Sequence, residues 1–543
     1  MVSRPGPSWR ARLVRLPRAV PVHVWTITAL SGILLLGWTQ LVPLGQAPDE
    51  SGHAALIERT ADGRPYPDFD DFHPYESAMR AWLSYRPGVP TGAGTWLTAE
   101  NAPPRHDRPT RDDLGGRRPF SHANQLSQHP PLYYGAMGGS LRLIRALPEG
   151  ERSLDREWHL LRLLNVALIA PLPLLAWATA RRLGAGDVES TVVALVPLTI
   201  PQLFHIGSSI NNDNLLILLC AVLSLLLAGV VRGDRRWRTA LGAGVLVGLA
   251  LWTKAPAFLL LPWIAVAYSV PAFVGRNLAI ARRWGPQLSR LAAAAATALL
   301  VGGWWWARNI VRHDELSPSI LDDPAVAPPD TIDTSVATYL RRYVPTLVHR
   351  FWGNFGAYQA PLTPVLVATA TAAAVAVIVA ALWPRRTEGR IGSTGVSRRH
   401  VVGLLVLLPM LATAAFGFAY RTFRSTGIMA AIQGRYLFGA LVPLATTLGI
   451  GASRLLRSRA PAVALTVAVA MQVDAVRVAL RAFWAEPDAS VERSLAALSA
   501  WSTWPIAVQL AWLAALVGLL ITNGWLLLRW SSTRDRTPEL RTG

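Results

Sequence analysis

"HVWTITALSGILLLGWTQLVPLGQAPDESGHAALIE", residues 23–58, joins two unlike pieces of chain. The first piece, 23–44, is apolar over a length that crosses a bilayer as a helix. The second, 45–58, places Asp49, Glu50 and His53 together at the exit. One piece decides a membrane fold. The other asks why charge gathers where the chain leaves the lipid.

Outward from this stretch the apolar pattern repeats. The 543 residues are 52% hydrophobic and only 16% charged, with a mean hydropathy of +0.30. A soluble chain carries roughly a quarter charged residues, and seldom holds repeated apolar runs of about 20 residues. The formal net charge is +20. In a soluble protein that would raise nucleic acid as a partner. Here the arginines form short clusters between apolar runs, which read as topology signals beside an anionic leaflet; no nucleic-acid partner is expected. The single cysteine, Cys220, lies in an apolar run, so no intramolecular disulfide forms. The first run lacks a small-residue cleavage site and is expected to stay as a helix.

Arg4, Arg10, Arg12, Arg15 and Arg18 precede the first run and place residues 1–21 in the cytoplasm. A polar region, 45–158, then falls outside, and its amphipathic stretch 132–147 reads as a helix lying at the interface. Apolar runs follow at 161–180, 191–207, 214–231, 239–252, 256–273, 290–306, 361–383, 401–419, 434–452, 461–480 and 504–528. Their basic ends alternate consistently, giving about 12 spans with both termini inside. The fold class expected is an all-α polytopic membrane protein. Residues 22–455 form its main module, 456–530 a C-terminal group of spans and 531–543 a cytoplasmic tail. The outer face receives 45–158 and 307–358, so a site is expected on that side.

The polar residues at those outer ends each have a plain reading. Pro48, Asp49 and Glu50 suit the first turn of a helix, where the dipole favours acids. Asp49 and His53, four apart, share one helix face, and a carboxylate there is able to accept a proton. In "QHPPLYY", 128–134, the prolines preset an extended loop that carries Gln128 and His129, while Tyr133 suits an interface. Asn212 and Asp213 in "SSINNDN" read as a turn with a cap. Lys254 in "LALWTKAP", Arg308 and Asn309 in "GGWWWARN", and Arg435 and Tyr436 in "QGRYLFGAL" read as interfacial anchors or as ligands for an anion. Anchors alone need no carboxylate pair, and acids alone need no array of cations. An anionic lipid headgroup with a proton to remove uses both.

"APDESGHA", "QHPPLYY", "NNDN", "LALWTK", "GWWWARN", "FWGNFG" and "QGRYLFGAL" occur in this order. The set resembles a bacterial family of large membrane proteins known as domain of unknown function 2142, over most of residues 20–455. That family is similar to the GT-C glycosyltransferases. The Arg- and Ala-rich composition suits a high-GC organism such as an actinobacterium. The resemblance implies a GT-C-like bundle and a polyprenyl-phosphate sugar as donor. It implies transfer with inversion to a glycan or lipid acceptor of the cell envelope. It also implies that Asp49, with Glu50 beside it, acts as base or orients the acceptor, and that the Pro-Pro-Leu segment lines the site near His129. The chain departs from the family in carrying Ser51-Gly52 where Pro-Ala is usual. No soluble C-terminal domain is expected to recognise the acceptor. A divalent cation at Asp49 and Glu50, with His53, is left open. Two other functions compete. A transporter or flippase of lipid-linked sugars expects broken helices and inverted repeats, and the sequence displays neither. A non-catalytic assembly protein would keep the cations without depending on Asp49.

Overall fold

The computed structural model describes residues 20–68, 71–88, 95–121, 123–148, 152–273, 280–318, 333–384 and 396–535. These residues are mainly helical. Helix α1 is Val22–Leu41, α2 Glu50–Ala61, α3 Glu76–Ser84, α4 Leu132–Arg145, α5 Leu154–Ile169 and α6 Leu172–Leu183. Then come α7 Asp187–Leu195, α8 Pro201–Gly207, α9 Asp213–Val231, α10 Trp237–Leu251, α11 Leu260–Ser269, α12 Ile280–Gly302 and α13 Trp304–His313. The chain continues through α14 Val336–Trp352, α15 Pro364–Leu382, α16 Arg398–Leu405, α17 Leu407–Thr426, α18 Leu441–Leu456, α19 Ala460–Phe483, α20 Val491–Trp501 and α21 Ile506–Asp535. Between α14 and α15 a two-residue ribbon pairs Asn354–Phe355 with Ala360–Pro361.

The apolar runs expected from sequence fall mainly in helix. Seven stretches among the described residues are long and apolar enough to cross a bilayer, or up to nine if each of two bent pairs is one span. The count of 12 is therefore not reached by length and composition; α10 and Ala255–Ser269 are apolar but short. Two runs expected to be straight are broken. Asp187–Thr199 and Pro201–Gly207 meet at 67°, and Gly285–Gly302 and Trp304–His313 at 60°. Pro201 supplies no backbone N–H and its ring clashes with the preceding turn, which accounts for the first bend. The second falls at Gly302-Gly303, where no Cβ resists a change of direction.

Small residues let α10 and α12 approach closely. A Cβ on Gly302 would lie 1.9 Å from the Gly248 carbonyl oxygen, and one on Gly244 2.5 Å from the Ala294 oxygen. Such contacts are what hold helices together in lipid, where water gives no hydrophobic drive between them. α4 packs against α2 of the polar region. It buries Tyr133, Tyr134, Met137 and Leu141 and leaves Leu143 exposed. Gly138 seats it against Thr60 of α2.

Candidate functional site

The site begins where α1 ends. Pro43 stops the helix, and residues 41–48 are all buried. Arg162 of α5 reaches this turn. It donates to the carbonyl oxygens of Thr39 at 2.6 Å, Val42 at 2.9 Å and Pro43 at 3.0 Å. It also grips both oxygens of Glu50, at 2.8 and 2.6 Å. The Ile210 amide donates to the same carboxylate at 3.1 Å. Glu50 is fully buried and Arg162 nearly so. A bidentate pair with every remaining donor used is the arrangement that offsets the cost of burying two charges.

Asp49, one residue earlier, is exposed while its neighbours are not. Its backbone lies in the left-handed region, φ 63 and ψ 6. A non-glycine residue held there costs on the order of 1 kcal/mol or more, and such strain gathers at functional sites. Asp49 makes no side-chain capping bond to α2, so the helix-start reading of this acid does not describe its contacts. Oδ2 instead accepts from Arg435 Nη2 at 2.5 Å.

Arg435 is the hub. It enters from the 3₁₀ segment Gly434–Ala440, is buried, and also donates to the Pro48 carbonyl oxygen at 3.3 Å. Its Nε lies 3.0 Å from Asp213 Oδ2, within ion-pair range but off the hydrogen-bonding line. Asp213 starts α9, and its other oxygen accepts from Lys254 at 2.6 Å. Lys254 sits over the Tyr436 ring, 5.3 Å from its centre. Asp49, Asp213, Lys254, Arg435 and Tyr436 thus form one cluster from four distant parts of the chain. Next to Asp213, Asn212 is completely buried, and among the described residues neither atom of its amide has a partner. Burying an amide unpaired costs about 1–3 kcal/mol, so a polar ligand group or water has a place there.

A wall of rings borders the cluster. His53 Nδ1 lies 2.9 Å from the Tyr134 hydroxyl, and the two rings stack. Tyr133 donates to Asn165 at 3.0 Å. Tyr66 meets Tyr134 on one side and Trp305 edge-on at 5.6 Å on the other, and donates to the His129 carbonyl oxygen. Burial, then the charges of Lys254 and Arg435, push His53 well below the usual histidine range. His129 is pushed down likewise, first by burial and then by Lys254. Both are neutral imidazoles near pH 7. Gln128 is half-buried at the start of the same loop.

Arg308 and Asn309 stand apart from the Asp49–Arg435 contacts. Arg308 pairs with Asp68 and lies over Trp305, at 4.7 Å from the ring centre. Asn309 donates to the Leu316 carbonyl oxygen at 3.3 Å. Glu50 is brought to the site's floor, not its surface, since Arg162 occupies it. The open question of a divalent cation has a structural answer in the donor set. Glu50 is spent on Arg162, and among the described residues no three His, Cys, Asp or Glu side chains converge. The residues present do not fit a cation.

Sequence reasoning missed Arg162 and Tyr358. Arg162 had a signal: a lone Arg in an apolar run, which marks a function or a partner by default. Tyr358, at φ 71, bonds to Gln433 and lies under Arg350 at 3.9 Å. Only tertiary packing brings it near.

A bundle of apolar helices with a buried charged cluster at one end defines a multi-span membrane protein with a polar site. The chain belongs to the family described as "Predicted membrane protein (DUF2142)", which matches residues 33–445 and so takes in every residue of the cluster. No curated protein matches the chain. Among solved structures it is similar to ArnT from Cupriavidus metallidurans bound to undecaprenyl phosphate, at 14% identity and a TM-score of 0.44, over 94% of this chain and 78% of that one. The apo state of the same protein gives 15% and 0.42, over 92% and 77%. The apo oligosaccharyltransferase of Archaeoglobus fulgidus gives 12% and 0.34, over 92% of this chain and 56% of that one.

Proposed function

We propose that the protein is a membrane glycosyltransferase of GT-C type. It moves a sugar from a polyprenyl-phosphate donor to a glycan or lipid acceptor of the cell envelope, on the outer face. The reading takes residues 22–455 as the catalytic module and 456–530 as additional spans. The observation that carries it is Asp49: a strained, exposed carboxylate held at one oxygen by the buried Arg435, with its other oxygen unbonded among the described residues.

In the proposed step the acceptor hydroxyl oxygen attacks the anomeric carbon from the side opposite the phosphate. The new C–O bond forms as the bond to the phosphate oxygen breaks, and the configuration inverts. The electron pair leaves with the polyprenyl phosphate. The hydroxyl proton passes to Asp49. Lys254 and Arg435 stabilise the charge growing on the leaving phosphate, and Asn212 offers its free amide to the same group or to the sugar. A phosphate leaving group needs that stabilisation more than it needs an acid.

Asp49→Asn keeps the size of the side chain and removes its charge. Purified protein supplied with polyprenyl-phosphate sugars and envelope glycan should lose at least about 100-fold in rate, with little change in expression. Near-normal transfer by this variant removes Asp49 from the mechanism.

The two bent helix pairs favour a second reading, transport of a lipid-linked sugar, because broken helices form transporter sites. Reconstituted vesicles separate the two: a transporter moves labelled lipid-linked sugar across the bilayer with no acceptor present.

A further inference from the structure

A cleft of about 1140 Å³ lies away from Asp49. It opens at the opposite end of α2, where Ala61 and Asp62 contribute to its wall. The 12 residues of α2 separate the two places by about 18 Å. Six arginines line the cleft: Arg111, Arg117, Arg118, Arg142, Arg145 and Arg152. Among the described residues three acids face them, Asp62, Asp112 and Glu157, an excess of three positive charges.

Four of these arginines fall into two pairs. Arg111 and Arg145 are spent inward. Arg111 donates to both oxygens of Asp62, at 2.8 and 2.7 Å, and Arg145 to both of Glu157, at 2.9 and 2.6 Å. These pairs build the floor. Burial would raise the Asp62 carboxyl, yet Arg111, Arg117 and Arg145 hold it below the usual range, so it stays ionised. Arg117 and Arg118 are different. Each is held by its Nε edge, Arg117 at 3.2 Å from Asp62 and Arg118 at 3.4 Å from Glu76. Their side chains are 66% and 74% exposed, and their terminal nitrogens have no partner among the described residues. Arg142 is fixed by bonds to the carbonyl oxygens of Ala61 and Thr60. The turn beneath Arg117 and Arg118 depends on Gly115 and Gly116, both at positive φ, and a Cβ on Gly115 would meet the Glu76 carboxylate at 2.9 Å.

A guanidinium anchored along one edge with its fork turned outward is prepared for a tetrahedral or planar anion. We infer that this cleft binds a phosphate- or carboxylate-bearing stretch of the acceptor glycan, and so holds an anionic chain whose end reaches Asp49. The inference rests on the proposed transfer reaction for the word acceptor, but its binding step does not. A single sugar does not span about 18 Å, so the ligand is a chain.

The test uses the full chain in nanodiscs of neutral lipid and a soluble poly(glycerol phosphate) oligomer as probe, with neutral dextran as control. The oligomer should bind, dextran should not, and binding should weaken as salt rises. Arg117→Gln with Arg118→Gln should weaken it by at least about tenfold while the melting temperature holds, because both side chains are exposed and each loses charge-assisted bonds. Arg142→Gln is a second variant with the same expected direction. Asp49→Asn should bind as the parent does. If the parent protein transfers no sugar while the arginine pair controls binding, the transfer reading fails and the cleft stands. Unchanged binding in the double arginine variant overturns the cleft. So does binding to anionic lipid vesicles alone, with none to the soluble oligomer.

Discussion

At the scale of single residues, Asp49 and Glu50 are neighbours in sequence with opposite environments. One is exposed, strained and half-engaged; the other is sealed against Arg162. Sequence alone marks both as acids at a helix start, because composition does not reveal which way consecutive side chains point. That division has a measurable consequence. Glu50→Gln leaves a buried guanidinium without its counter-charge, and breaking such a pair costs about 3–5 kcal/mol. The melting temperature should fall markedly. Turnover per folded molecule should fall far less than in Asp49→Asn. A stable Glu50→Gln protein with no turnover would transfer the catalytic part to Glu50. The cluster of Asp213, Lys254, Arg435 and Tyr436 was legible from sequence as polar residues at span ends on one side. Arg308 was grouped with them on the same grounds, yet it meets Asp68 and Trp305, because belonging to one side does not fix a neighbour.

At the scale of elements, the segment Gly434–Ala440 decides where Arg435 stands. Gly434 presses on another backbone: a Cβ there would lie 2.2 Å from the Arg350 carbonyl oxygen and 2.3 Å from the Phe351 nitrogen. Backbone does not yield as a flexible side chain does. Gly434→Ala should therefore cost about 1–3 kcal/mol and shift Arg435 away from Asp49. Thermal melting reads the first effect and glycosyl transfer the second. An Ala variant equal to the parent in both would show that the close approach does not seat Arg435. Gly52 is crowded by side chains instead: a Cβ would come 2.1 Å from the Asn124 side-chain nitrogen and 2.8 Å from Leu126, which gives a packing reason for glycine in this chain. Helices were legible because long apolar runs leave the backbone no other way to pair in lipid. Bends were not. A proline or a glycine pair marks where a helix is able to break, whereas the angle depends on what packs against it.

At the scale of the molecule, the arginine clusters predict an orientation with the polar region 45–158 outside. Cys220 is the single cysteine and is buried, so Cys220→Ser provides a thiol-free chain. In that background His106→Cys places one thiol on a side chain that is 83% exposed. A membrane-impermeant maleimide should label it in intact cells. Labelling only after permeabilisation would invert the topology and with it the side of the site. Charge counted along the chain gives an orientation only as an expectation, and this labelling tests it. The number of crossings was only partly legible, since α10 and Ala255–Ser269 are apolar yet short, and two further runs are bent.

Arg162 has five N–H groups, and all five are committed to Thr39, Val42, Pro43 and Glu50. A guanidinium with nothing left to give is silent towards ligands. No substrate can recruit it, and no substrate can be refused by it. On the proposed function, selectivity is then written in the residues above, among Asn212, Lys254 and the ring wall. The foundation beneath them can stay as it is while the chemistry it supports is rewritten.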